Sequence, residues 1–112
     1  MPKSIQNIIY KFAQTMKMIF GSSLDKIIVY GSYARGDFNK NSDVDIMILV
    51  NLPEAEIRKY ENAVYDAAFE IEMNTAVDIS PVIKSREQFE YWEDTLPYYK
   101  NVKEEGVIIS EW

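Results

Sequence analysis

Five apolar residues in a row, Ile46-Met47-Ile48-Leu49-Val50, follow directly on Asp43-Val44-Asp45. No other stretch constrains the chain as much. A continuous apolar run of this length, flanked by turn-forming residues, reads as the body of a central β-strand. The alternating acids place its start at the surface. A chain of 112 residues built round one such strand is expected to be a single domain over 1–112.

The flanking segments supply partners for that strand. Ile5, Ile8, Ile9, Phe12, Met16, Ile19 and Phe20 recur at helical spacing over 4–20, and Gly21 stops the pattern. Lys26-Ile27-Ile28-Val29-Tyr30 is a short β-branched run ending at Gly31, a second buried strand. Residues 32–35 form a brief helical turn before Gly36, and 37–42 are polar and turn-forming. Asn51-Leu52-Pro53 opens what reads as the longest helix, with Ile57, Tyr60, Val64, Ala68 and Ile71 on one face and Glu and Lys side chains on the rest. Val77-Asp78-Ile79 with Val82-Ile83 is a third strand, in which Pro81 marks an edge or a bend. Ser85-Arg86-Glu87-Gln88 has capping-box form ahead of Phe89 and Trp92. A short helix over 95–105 stops at Gly106, and 107–109 make a last strand. The expected class is α/β or α+β, a small mixed sheet with helices packed on it.

Missing residue types narrow the chemistry. With no Cys and no His, thiolate nucleophiles, imidazole bases and the usual zinc sites are out of reach. Carboxylates, hydroxyls, cations and backbone amides remain, and Mg²⁺ prefers oxygen ligands. Twelve Lys and Arg against 18 Asp and Glu give a net charge of −6, which disfavours stable binding to DNA. No segment has the form of a signal peptide or a membrane span, so a cytoplasmic setting is expected.

Within that inventory, Gly31-Ser32 ends a strand and opens a helical turn whose free amides suit a phosphate, although a plain N-cap turn looks the same. Asp43 and Asp45, two apart on a strand, point the same way at a separation of about 6.6 Å along the chain. Their repulsion is relieved by divalent cations, or by Arg35 or a lysine as counter-charge for Asp45. Asp78, an acid between two β-branched residues, reaches the same site if its strand adjoins theirs. As an edge-strand charge it needs no such role.

Gly31-Ser32 followed after ten residues by Asp43-Val44-Asp45 resembles the signature of the DNA polymerase beta nucleotidyltransferase superfamily. Gly-Ser-Tyr-Ala-Arg-Gly and Ser-Asp-Val-Asp-Ile are similar to its minimal stand-alone members, and Val77-Asp78-Ile79 fits the frame of the third carboxylate. The stretch Tyr98 to Gly106 is also similar to that group. The resemblance implies transfer of a nucleoside monophosphate, AMP from ATP, to an acceptor hydroxyl. Gly31 and Ser32 would hold the β/γ phosphates, with Arg35 structural or facing them. Asp43 and Asp45 would ligate two Mg²⁺ ions. Asp78 would ligate the nucleophile-side metal and act as base or orient the acceptor.

Such minimal proteins pair with a helical HEPN-domain toxin, so the resemblance also implies an antitoxin that adds AMP to a tyrosine of that partner. Whether the chain forms a homo- or a hetero-oligomer the sequence leaves open. Tyr91, Trp92, Tyr98, Tyr99 and Trp112 are candidates for the docking face, or for core packing of the C-terminal helices. Two other readings stay open: a non-catalytic subunit that neutralises its partner by covering it, and a transferase acting on a small hydroxylated molecule.

Overall fold

A strand with no polar face needs cover on both sides, and the chain supplies it in the order in which it is built. In the computed structural model, which describes residues 1–109, helix α1 (Lys3–Phe20) comes first. Its Ile5, Ile9, Phe12, Met16 and Phe20 are buried along one stripe. A 3₁₀ turn at Gly21–Ser23 leads into strand β1 (Leu24–Tyr30). One turn of helix, α2 (Ser32–Arg35), precedes strand β2 (Val44–Val50), every residue of which except Asp45 is buried. Helices α3 (Glu54–Ile57) and α4 (Glu61–Thr75) follow, then strand β3 (Ile79–Ser85). Helices α5 (Arg86–Trp92) and α6 (Pro97–Glu105) and a two-residue strand β4 (Val107–Ile108) complete the order.

The sheet order is β3-β2-β1-β4, mixed as expected: β1 runs antiparallel to β2 and β4, and β3 runs parallel to β2. Side chains on successive positions of β1 and β2 go to opposite faces. Ile27, Val29, Ile46 and Ile48 pack with α1 and with Val64 and Ala68 of α4. Ile28, Met47 and Leu49 pack with Phe89 of α5 and with Tyr99 and Val102 of α6. Gly106 closes that second layer where only a hydrogen fits, since a Cβ there would run into Val102 O and Ile28 Cγ2.

Four local expectations change. The helix after Pro53 is not one piece, and α1 is the longest helix. A 3₁₀ turn at Arg58–Tyr60 interrupts it, and near-eclipsed i, i+3 positions bring Tyr60 to the side of Ile57. The Tyr60 ring sits 4.8 Å from that of Phe20. The outer face of α4 is not all charged either: Tyr65, Phe69 and Met73, four apart, are exposed.

Pro81 lies on the edge strand, opposite Ile46, where the missing N–H costs no ladder bond. The capping box at Ser85 is half made. Ser85 Oγ accepts from Gln88 N–H at 3.3 Å, while the Gln88 side chain donates to Tyr99 Oη at 3.2 Å. Among the proposed docking aromatics, Tyr99 is core, Trp92 is half-buried against the same cluster, and Tyr91 and Tyr98 are exposed. Trp112 lies outside the described residues. No helix among those residues is long and apolar enough to cross a membrane.

Candidate active site

Antiparallel pairing of β1 with β2 and parallel pairing of β2 with β3 bring three chain ends to one corner of the sheet. These are the exit of β1, the entry of β2 and the entry of β3. Tyr30 is opposite Asp45, and Asp45 is opposite Ser80. Asp43 and Asp78 each stand one residue before their strands, and Val44 N–H donates to Asp78 O at 2.9 Å, which carries the ladder past Ile79. By alternation Asp45 lies on the face of Met47 and Leu49, which α5 and α6 cover further along. Asp43 and Asp78 stand outside the strands, so alternation does not place their side chains.

Their environments differ. Asp43 and Asp78 are exposed and Asp45 is half-buried. Burial, then the charge of Asp43, holds the Asp45 carboxyl above the usual carboxylate range, and Arg35 opposes this only as a distant positive charge. A fourth carboxyl, Glu72 of α4, escaped the sequence reading. Its carboxyl stands beside that of Asp78, and that interaction, then the Asp78 charge, pushes it above the usual carboxylate range. Its placement depends on Ala76, which adopts a left-handed conformation (φ 61°) and donates its N–H to Glu72 O at 2.8 Å, turning the chain back toward Asp78. Nothing in an alanine signals such a turn.

Among the described residues no three acidic side chains converge into a ready metal-holding group. The donor set is nonetheless all carboxylate oxygen, and a hard cation would offset the burial and then the Asp43 charge that lift Asp45. In that sense the residues fit Mg²⁺.

Gly31 packs against this corner. Its φ is +73°, and a Cβ there would collide with Asp45 Oδ2, so only glycine lets the turn and the carboxylate lie against each other. Gly31 O accepts from Ala34 N–H (3.1 Å) and Arg35 N–H (3.0 Å), which leaves the amides of Ser32 and Tyr33 without an intrahelical partner. Tyr33 is buried and stacks on Phe38 with ring centroids 4.5 Å apart, which pins the turn. Arg35 does not pair with Asp45. Its guanidinium donates to Asp37 Oδ2 and Glu105 Oε2, both at 3.3 Å.

Between this turn and α6 lies an open cleft of about 380 Å³, lined by Ser32, Arg35, Asp45, Tyr30, Tyr98 and Asn101 among others. Tyr30 Oη and Tyr98 Oη are hydrogen-bonded at 2.8 Å. Burial first, then that bond, raises the Tyr30 phenol far above its ordinary pKa, so it stays protonated.

A model of the nucleotidyltransferase domain matches residues 9–109. Two relatives from Methanocaldococcus jannaschii, provisionally named protein adenylyltransferases MJ1305 and MJ0141, are each 37% identical. The first match covers 72% of this chain and 55% of the relative, the second 70% and 78%. The chain thus spans about half the length of MJ1305. A crystal structure of a toxin-antitoxin with AMP-PNP has the same fold, with a TM-score of 0.57 and 20% identity over 96% of this chain and 73% of that one. A crystal structure of a provisionally named nucleotidyltransferase from Sulfolobus solfataricus aligns with a TM-score of 0.55 and 17% identity, over 95% of this chain and 76% of its own. With the match running over nearly all of its length, and the mixed sheet in place, the chain belongs to the nucleotidyltransferase domain family.

Proposed function

We propose that this chain moves AMP from ATP to a tyrosine hydroxyl of a HEPN-domain toxin partner, with Mg²⁺, and so acts as an antitoxin in the cytoplasm. The observation that carries the reading is the contact of Gly31 with Asp45, which sets a phosphate-binding turn against the entry of the acidic strand. The names of the relatives as protein adenylyltransferases, and the fold shared with a toxin-antitoxin crystallised with AMP-PNP, support it.

In this reading the amides of Ser32 and Tyr33 bind the β and γ phosphates. Asp43, Asp45 and Asp78 would hold Mg²⁺, which supplies charge neutralisation at the phosphates. The acceptor oxygen attacks the α phosphorus, a P–O bond forms, the bond to the bridging oxygen breaks and pyrophosphate leaves. Asp78, exposed at the mouth of the corner, takes the hydroxyl proton. Glu72, whose carboxyl stands beside that of Asp78, would hold it in place.

Incubating the chain with a HEPN partner, Mg²⁺ and ATP labelled at the α phosphate tests this. The partner should gain label, and Asp43→Asn or Asp45→Asn should lower the rate at least 100-fold, in line with a loss of electrostatic stabilisation of about 3 kcal/mol. Labelling that survives both substitutions rejects the assignment. Neutralisation of the partner by the unlabelling double variant favours simple covering instead.

A further inference from the structure

Tyr98, Asn101 and Glu105 lie three and four residues apart, so they share one face of α6, and all three line the cleft that opens beside Asp45. The cleft is lined by Ser32 and Asp45, by the Arg35–Glu105 ion pair, and by Tyr98 and Asn101 of α6. Its volume, about 380 Å³, is in the range of small-molecule sites.

We propose that Tyr98 and Asn101 select an adenine base in this cleft. The inference rests on the reading above that the Gly31–Asp45 corner holds the triphosphate.

Tyr98 is a fixed platform. Its hydroxyl is tied to Tyr30 Oη, and the two rings meet edge to face with centroids 5.9 Å apart and planes at 80°. A base stacking on it need not first immobilise it. Asn101 supplies the discrimination. Its side chain has no hydrogen-bond partner among the described residues and projects a carbonyl acceptor and amide donors together. That pair matches the N6 donor and N7 acceptor of adenine.

Guanine presents two acceptors, O6 and N7, on the same edge, and calls for a cationic fork. The guanidinium in this cleft, Arg35, is already engaged by Asp37 and Glu105. Glu105 Oε2 is held in the same ion pair.

Calorimetric titration of the full chain in Mg²⁺ with ATP, GTP and inorganic tripolyphosphate separates base recognition from phosphate binding. The wild type should prefer ATP to GTP. Asn101→Ala should weaken ATP roughly tenfold and leave GTP and tripolyphosphate unchanged. Tyr98→Ala should weaken both nucleotides roughly tenfold while sparing tripolyphosphate, and Tyr98→Phe, which keeps the ring but loses the tie to Tyr30, should lose less than Tyr98→Ala. Melting curves establish that each variant is folded. An unchanged ATP-to-GTP ratio in Asn101→Ala, or an equal loss of tripolyphosphate affinity, overturns the inference alone. A wild type that binds no nucleotide in Mg²⁺ overturns the parent reading and this one with it.

Discussion

At Gly31 two separate costs fall on any larger residue: the left-handed φ of +73°, and the Asp45 carboxylate lying where a Cβ would be. Gly31→Ala should lose about 1–3 kcal/mol in denaturant unfolding. Made in an Asp45→Ala background it should cost less, because only the backbone term remains. Strictly additive losses would mean that the two residues do not touch. Asp45 itself carries a pH signature. Burial and Asp43 raise its pKa in the folded state, so between the ordinary carboxylate value and the raised one the native chain holds a proton that the unfolded chain has released. Stability then falls as pH rises through that window. Without divalent cations, Asp45→Asn should melt above the wild type at pH 7, and the gap should close below the ordinary carboxylate range. Equal melting at pH 7 contradicts this. Gly31, Ser32, Asp43 and Asp45 were legible as candidates because a glycine before a hydroxyl and two acids two residues apart are local patterns. Arg35 was legible only as a position: its partners Asp37 and Glu105 include one 70 residues away.

The end of α4 shows where reading by element stops working. Val77-Asp78-Ile79 was legible as extended, but the turn that delivers it is made by Ala76 at φ 61°, the one non-glycine residue with positive φ among those described. Thr75 supports the turn, donating from Oγ1 to Ile71 O at 2.6 Å and accepting from Val77 N–H at 3.2 Å. A left-handed alanine is strained by contact of its Cβ with the carbonyl oxygen. Ala76→Gly should therefore raise stability by about 0.5–1 kcal/mol despite the added freedom of the unfolded chain. A loss on that substitution would show the turn to be unstrained. The same helix explains a second gap. Its buried face was read from Val64, Ala68 and Ile71, yet Tyr65, Phe69 and Met73 run beside it in the open. Apolar residues on adjacent faces blur the period on which any such reading depends. The strand at 44–50 was legible for the opposite reason, since an unbroken apolar run leaves only one place in a sheet.

At the scale of the molecule, a chain of net charge −6 sets Asp43 by Asp45 and Asp78 by Glu72 near the corner proposed for a polyanionic substrate. The one guanidinium lining the adjoining cleft is already neutralised by two carboxylates. Coulomb repulsion at that corner opposes the bare nucleotide, and the free amides of Ser32 and Tyr33 are dipoles rather than full charges. Divalent cation and nucleotide should therefore bind as linked partners. In thermal melts, ATP with a chelator should leave the midpoint where it is, whereas ATP with Mg²⁺ at a hundredfold excess over its Kd should add about 2.7 kcal/mol, several degrees for a domain of this size. Salt should act in opposite senses on the two forms. Screening eases the repulsion of metal-free ATP, so its weak affinity should rise with ionic strength, the reverse of what a basic nucleotide site shows. A chelator-insensitive shift, or metal-free binding that weakens as salt is added, would place the nucleotide away from the acids and against cationic side chains elsewhere on the surface.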